Sequence, residues 1–181
     1  MKTTYEIDPA HSSAQFSIRH MMISNVRGGF SSVKGTVEYD AANPANSSVE
    51  VEIDANTIKT LDEARDGHLK SADFLDTEKH PTITFKSTKV EATGAGEVSV
   101  TGDLTVHGTT KPVVLKVEGP SQEGKDPWGN IRIGASATTK IKRSDFGLTW
   151  NAVLEAGGFM VGDDLKIELE VQMIKAAATA A

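Results

Sequence analysis

The residues that could do chemistry in this chain begin with its histidines. There are five of them, and none lies within four residues of another: His11, His20, His68, His80 and His107. The 181 residues include no cysteine, which excludes zinc–thiolate sites, iron–sulfur clusters and cysteine nucleophiles. Tetrahedral zinc usually takes three or four protein ligands that lie close together. We therefore predict no metal site, although a barrel could still bring two of the histidines together.

Carboxylates form three close pairs, Asp62/Glu63, Asp73/Asp76 and Asp163/Asp164. Solvated caps of helices and loops explain such pairs better than acid–base catalysis does. The motifs for a nucleophile or a phosphate each fail at one residue. Thr138 stands where a G-x-S-x-G motif needs its second glycine, and Asp126 follows Gly124-Lys125 where a Walker motif needs Ser or Thr. The sequence predicts no catalytic residues and no cofactor.

The elements that must position any site have a periodicity of two residues. Apolar and polar residues alternate most clearly in Ala14–His20, Val49–Asp54, Val98–Val106 and Leu165–Met173. Since successive side chains of a strand point to opposite faces, each segment has one buried and one solvated face. This pattern is typical of antiparallel sheets, because buried parallel strands read as continuous apolar runs.

Weaker strand candidates bring the count to eight or nine: Tyr5–Asp8, Phe30–Tyr39, Thr82–Glu91, Val113–Glu118 and Ile131–Ile141. Many short strands with turns between them predict a sandwich or a barrel. Two short helices interrupt them, one capped by Thr60 with Glu63 three residues on and the other at Arg143–Phe146, capped by Ser144 or Asp145. We predict one domain over residues 1–175 and a disordered, alanine-rich tail at 176–181.

His20 is the candidate polar residue of an apolar interior. It shares strand parity with Phe16 and Ile18, so its side chain is expected to point inward. An inward imidazole is either satisfied by a neighbouring carbonyl or offers a polar contact to a ligand that otherwise touches hydrocarbon. Phe16, Phe30 and Phe85 fall on apolar faces, and core packing is the default role of each. An eight-stranded barrel, however, is just wide enough to be filled or to hold one small ligand.

Charge and hydropathy limit the partners and the location. The net charge of −6 argues against nucleic acid, which requires a basic face. There is no apolar run long enough for a secretory signal or a membrane span. We therefore expect no stable membrane insertion and a cytoplasmic protein, or a periplasmic or secreted one if a leader was removed.

Five consecutive pieces of the chain carry a resemblance to a known family. They are Tyr5–Asp8 with His11-Ser12, Phe16–Phe30, Asp66–Leu69 with Asp73-Phe74 and His80–Phe85, Gly102–Pro112, and Arg143–Leu148 followed by Gly162–Asp164. In their order and spacing, over about residues 5–174, the sequence resembles the YceI-like proteins. The resemblance implies a lipocalin-like, eight-stranded antiparallel β-barrel around an apolar tunnel. It also implies a long-chain amphiphile as ligand, notably a polyisoprenoid or an isoprenoid quinone.

The first hypothesis is therefore a lipid-binding protein that carries, stores or sequesters its ligand. The expected tunnel lining is Phe16, Ile18, Phe30, Phe85, Leu104, Val106 and Ile133, with His20 at a polar head or chain kink and Trp150 and Phe159 near a mouth. Phe16, His20 and Phe30 lie in pieces shared with the family, and strand parity selects the others in the lining. Two alternatives stay open: an enzyme of isoprenoid or quinone metabolism using His20 or His107 as acid–base, and a stress-related structural protein with an empty barrel. A homodimer also stays open, because cyclic dimers are common.

Overall fold

A computed structural model describes residues 1–178, in which the strands form one antiparallel sheet. The strands are β1 (Thr3–Ile7), β2 (Ser13–His20), β3 (Ser24–Phe30), β4 (Val33–Tyr39), β5 (Ser48–Asp54), β6 (Ile58–Lys59), β7 (Thr82–Gly94), β8 (Glu97–Val106), β9 (Thr109–Glu118), β10 (Gly124–Lys125), β11 (Ile131–Lys142) and β12 (Val161–Lys175). Short 3-10 turns at Pro9–His11, Pro44–Asn46, Ala55–Thr57 and Arg143–Phe146 join some of them. No helix in this part of the chain has the length and apolar character needed to cross a bilayer.

Eight of these strands close into a barrel in the order β11–β9–β8–β7–β5–β4–β1–β12. The closing pair is β11 with β12, which stay in register from Arg132 opposite Ile174 to Lys142 opposite Asp164. The predicted eight-stranded antiparallel barrel is confirmed. Closure removes the exposed edges that an open sheet of this size would present.

At one end of this barrel, strands β2, β3 and β6 extend the sheet beyond the eight barrel strands. Strand β12 pairs with β1 through its last residues and with β2 through its first part, where Val161 lies opposite His20. Strand β3 pairs with β2, and the short β6 pairs with β3. The sequence pattern missed β3 and merged its last residue with β4, because Ser24, Asn25, Gly28 and Gly29 show neither alternation nor strand propensity. Pairing with β2 overrides that local preference.

Helix α1 (Glu63–Lys70) and residues 71–81 cover the same end, which we call the helix end. The predicted cap is wrong by two residues, since Asp62 accepts the hydrogen bond from the Arg65 amide at 2.9 Å. Thr60 is buried and its hydroxyl donates to Asp66 Oδ1 at 2.6 Å. In the turn at Arg143–Phe146 neither Ser144 nor Asp145 caps; instead Asp163, from β12, accepts from the Ser144 amide and hydroxyl.

The tail begins where β12 ends, at Lys175. The Ala176 amide still donates to the Thr4 carbonyl at 2.9 Å, so the first tail residue remains attached to β1. Residues 179–181 of the tail predicted to be disordered lie outside the described residues.

Candidate functional site

The barrel encloses an apolar cavity of about 630 Å³. This volume lies within the range of roughly 300–1,000 Å³ typical of small-molecule sites. Its walls carry the inward side chains of every barrel strand because the alternating residues of each strand place Val, Ile, Leu or Phe on that face. The cavity is therefore a direct product of the period-two pattern.

The inward side chains do not fill this space. Leu104, Leu115 and Leu169 face the interior yet stay only partly buried, whereas Val106 and Val113 nearby are buried in a packed cluster. Protein interiors are normally close-packed, with few voids larger than a water molecule. A leucine that faces inward and still exposes surface is in contact with an open interior.

Nine of the ten sequence-predicted site residues line the cavity: Phe16, Ile18, His20, Phe30, Phe85, Leu104, Val106, Ile133 and Trp150. They are spread along the barrel and its extension rather than gathered at one point. Phe16 and Phe30 approach each other, with ring centroids 6.0 Å apart. A side chain at Gly102, the inward residue of β8, would collide with the ring of Phe85, so this glycine creates the room for that ring.

Phe159, expected near a mouth, is the one predicted site residue that does not line the cavity, and its place near a mouth stays a prediction. It pairs with Val153 in an isolated bridge, and the residue is 57% exposed. The following residues, Met160 and Val161, line the cavity instead. Gly157 and Gly158 both take positive φ values, so the chain turns before Phe159 and strand parity no longer decides where this side chain points.

His20 points into the cavity, as its parity predicts, and is partly buried at the helix end. Within residues 1–178 its ring makes no hydrogen bond, whereas His11 and His68 are each held by a carboxylate, Asp8 and Asp73, at 2.8 and 2.9 Å. An inward imidazole without a protein partner is available to a polar group of a ligand.

The other charged and imidazole side chains of the lining also lie at the helix end. They are Asp62, Arg65, His68 and Arg143. The rings of His68 and Phe74 pack against Trp150, with centroids 4.7 and 5.3 Å from it, and join α1 to the segment 148–160. The sequence pattern did not predict these charged residues in the lining, because helix α1 has little amphipathic character from which to predict an inward face.

Arg143 is the most buried charged residue of this end. Its guanidinium donates to the carbonyls of Gly162 and Leu148 at 2.7 Å and of Trp150 at 2.9 Å. Burial lowers the pKa of Arg143 from its ordinary value, and the nearby charge of Asp163 opposes that shift. These bonds hold the segment after the Arg143–Phe146 turn against the start of β12. The sequence offered one signal, because Arg143 opens one of the pieces shared with the family.

A closed antiparallel barrel with an unfilled apolar interior, and with charged and imidazole groups at one end of it, defines the class of small barrels that bind apolar ligands. The comparisons with known proteins identify the family within that class. The family model of the YceI-like domain matches residues 5–173, and the chain belongs to this family.

Curated relatives and solved structures agree with this assignment. UPF0312 proteins of Vibrio cholerae and Ectopseudomonas mendocina are each 44% identical, over 80% and 82% of this chain and 77% and 78% of their own lengths. The crystal structure of the Campylobacter jejuni YceI protein is 32% identical, with a TM-score of 0.71 over 88% of this chain and 90% of that chain. Burkholderia cenocepacia BcnA has the same fold, with a TM-score of 0.80 at 23% identity over 92% of this chain and 98% of its own. A polyisoprenoid-binding domain from Saccharophagus degradans has a TM-score of 0.66 at 16% identity over 96% and 99% of the two chains.

Proposed function

We propose that this protein binds one long-chain amphiphilic lipid, a polyisoprenoid or an isoprenoid quinone, and carries, stores or sequesters it. The observation that carries the proposal is the apolar cavity of about 630 Å³ that inward side chains leave unfilled. The tail would lie along the barrel. The polar head would lie at the helix end, near His20, where the charged and imidazole groups of the lining are concentrated.

Apolar burial supplies enough free energy for such a complex. Each buried CH₂ contributes about 0.8 kcal/mol, so a five-carbon isoprene unit contributes on the order of 3–4 kcal/mol as an upper limit. Association costs on the order of 4–15 kcal/mol, which a few isoprene units offset. A site of this kind selects chain length and bulk more strongly than head group. The structural neighbour from Saccharophagus degradans, described as a polyisoprenoid-binding domain, supports the same ligand class.

The direct test is organic extraction of the protein purified gently from its own host, followed by mass identification of the extract. Native mass spectrometry of the same sample should show the mass of the chain plus one lipid. The proposal is wrong if the native host yields only the apoprotein mass, which would favour the structural protein with an empty barrel.

Catalysis on the same lipid is the rival function. Within the described residues neither His20 nor His107 is hydrogen-bonded to a carboxylate that could orient it as an acid or base, which favours binding alone. Incubation of the loaded protein should return the lipid unchanged. Turnover that persists through purification and is lost in His20→Ala would establish the enzyme instead.

A further inference from the structure

Three side chains outside the cavity lining converge at the helix end. Asp76, His80 and His107 each place a potential ligand atom so that all of these atoms lie within 4.8 Å of one another. All three residues are partly buried. Their positions in the sequence, 27 residues apart for the two histidines, give no indication of this arrangement.

The backbone delivers two of the ligands on a single turn. The His80 amide donates to the Asp76 carbonyl at 2.8 Å, so this hydrogen bond closes a single turn that carries both residues. Asp76 has a φ of +47°, and its side chain is only 15% exposed. This turn ends the segment 71–81 that covers the barrel.

The third ligand comes from the hairpin of β8 and β9. Val106 pairs with Thr109, so His107 and Gly108 form a two-residue turn with φ values of +53° and +72°. The ring centroids of His80 and His107 are 4.9 Å apart. A Cβ at Gly108 would lie 2.8 Å from His80 Cε1, so glycine is required for the imidazole of His80 to approach the turn.

The two imidazoles pack against each other but leave their nitrogens unused within the described residues. Neither ring is hydrogen-bonded to a protein group there, in contrast to His11 and His68 with their carboxylates. The Asp76 carboxylate has one ion-pair partner in the described residues, Lys79, whose Nζ lies 3.7 Å from Asp76 Oδ2. The Lys79 side chain is 76% exposed, so it can move away when an ion binds.

The geometry points to a divalent transition-metal site formed by Asp76, His80 and His107. Two imidazole nitrogens and one carboxylate oxygen suit Zn²⁺ and its first-row neighbours, whereas Mg²⁺ and Ca²⁺ prefer oxygen ligands throughout. Three protein ligands leave a further position for water. The ion would join residues 71–81 to the β8–β9 turn, beside Leu75 and Val106 of the packed cluster. It would thereby hold the cover of the barrel end in place.

Isothermal titration of the full-length protein with Zn²⁺, after dialysis against a chelator, tests the site. We expect one ion per chain and a higher melting temperature in its presence. Co²⁺ should give visible absorption bands that report nitrogen and oxygen coordination.

His80→Gln and His107→Asn should each weaken Zn²⁺ binding by at least about tenfold. Asparagine is chosen at position 107 because it tolerates a positive φ, and His80→Gln leaves the turn unchanged. His11→Gln, which removes a histidine outside the cluster that is hydrogen-bonded to Asp8, is the matched control and should bind Zn²⁺ as the wild type does. Lys79→Met should strengthen binding, because it removes the competing ammonium group. Absence of stoichiometric binding, or equal affinity in the wild type and the two histidine variants, would overturn the site.

Discussion

At the residue scale, two neighbouring residues of β9 face opposite sides of the barrel wall. Leu115 faces the cavity and is partly buried, whereas Val114, one position earlier, faces outward and is 54% exposed. The same substitution at the two positions therefore changes the interior in one case and the outer surface in the other. This pair gives the lipid proposal its sharpest control.

Leu115→Trp should shorten the lipid chains that the protein accepts or lower the amount bound, because the larger side chain occupies part of the cavity. Its cost in stability should stay below the ~1–3 kcal/mol of an overpacked core, since the added atoms enter open space. Val114→Trp should leave the extracted lipid unchanged. The measurement is mass analysis of the lipids extracted from both variants, with urea unfolding for stability. Identical chain-length distributions in both variants would remove Leu115 from the binding site.

At the scale of elements, one side chain holds the segment that follows the Arg143–Phe146 turn. Arg143 is buried and donates to the carbonyls of Leu148 and Trp150, which lie outside the strands, and to the carbonyl of Gly162 at the start of β12. Trp150 in turn packs on His68 of α1. The helix end therefore depends on hydrogen bonds from a guanidinium as well as on apolar packing.

Arg143→Met should lower the free energy of unfolding by about 3 kcal/mol or more, because three partly buried carbonyls lose a charged donor at once. Segment 148–162 should become the first site of proteolytic cleavage. Lys142→Met removes the neighbouring exposed charge and should have little effect. Urea unfolding of both variants measures the free energy of unfolding, and limited proteolysis locates the first cleavage site. Equal stability of the two variants would show that the bonds of Arg143 do not hold the segment.

At the scale of the whole molecule, ion pairs join parts of the chain that are distant in sequence. Arg132 of β11 donates to Asp8, after β1, and to Asp126, in the preceding loop, both at 2.7 Å. The hydrogen bond from Arg132, and secondarily the one from His11, lowers the pKa of Asp8 to about 2. Arg132 lowers the pKa of Asp126 in the same way. The pairs help to fix the register in which the barrel closes.

These pairs predict an acid-dependent stability. Since the folded pKa of each carboxyl is below its unfolded value of about 3.9, the stabilisation is fully present well above pH 4 and is lost as the pH falls toward 2. Arg132→Met should therefore be less stable than the wild type at pH 7, and the difference should shrink below about pH 4. Lys86→Met breaks an exposed pair with Glu50 and should show a small difference at any pH. Urea unfolding at pH 7, 4 and 2.5 measures these free energies of unfolding. A difference between Arg132→Met and the wild type that stays the same at all three pH values would contradict the prediction.

The sequence by itself determined the strands whose residues alternate and the faces that those strands bury. Alternation in segments such as Val98–Val106 and Leu165–Met173 fixes which side chains point inward, because a strand has a period of two whatever its neighbours are. The inward positions of His20 and Leu104 followed from that rule alone. The shared pieces of sequence then indicated a barrel with a tunnel rather than a sandwich.

Only the tertiary structure decided which strands became neighbours and what met beyond their ends. Strand β3 exists because β2 offers it a partner, and Phe159 follows a glycine turn at Gly157 and Gly158 instead of continuing a strand. His80 and His107 meet because the cover of the barrel rests on a hairpin turn. Local periodicity has no information about contacts between residues far apart in the chain, since these depend on closure of the whole sheet. The predicted faces therefore agreed with the fold, while the hydrogen bonds of Arg143 and the Asp76–His80–His107 cluster emerged only from three-dimensional packing.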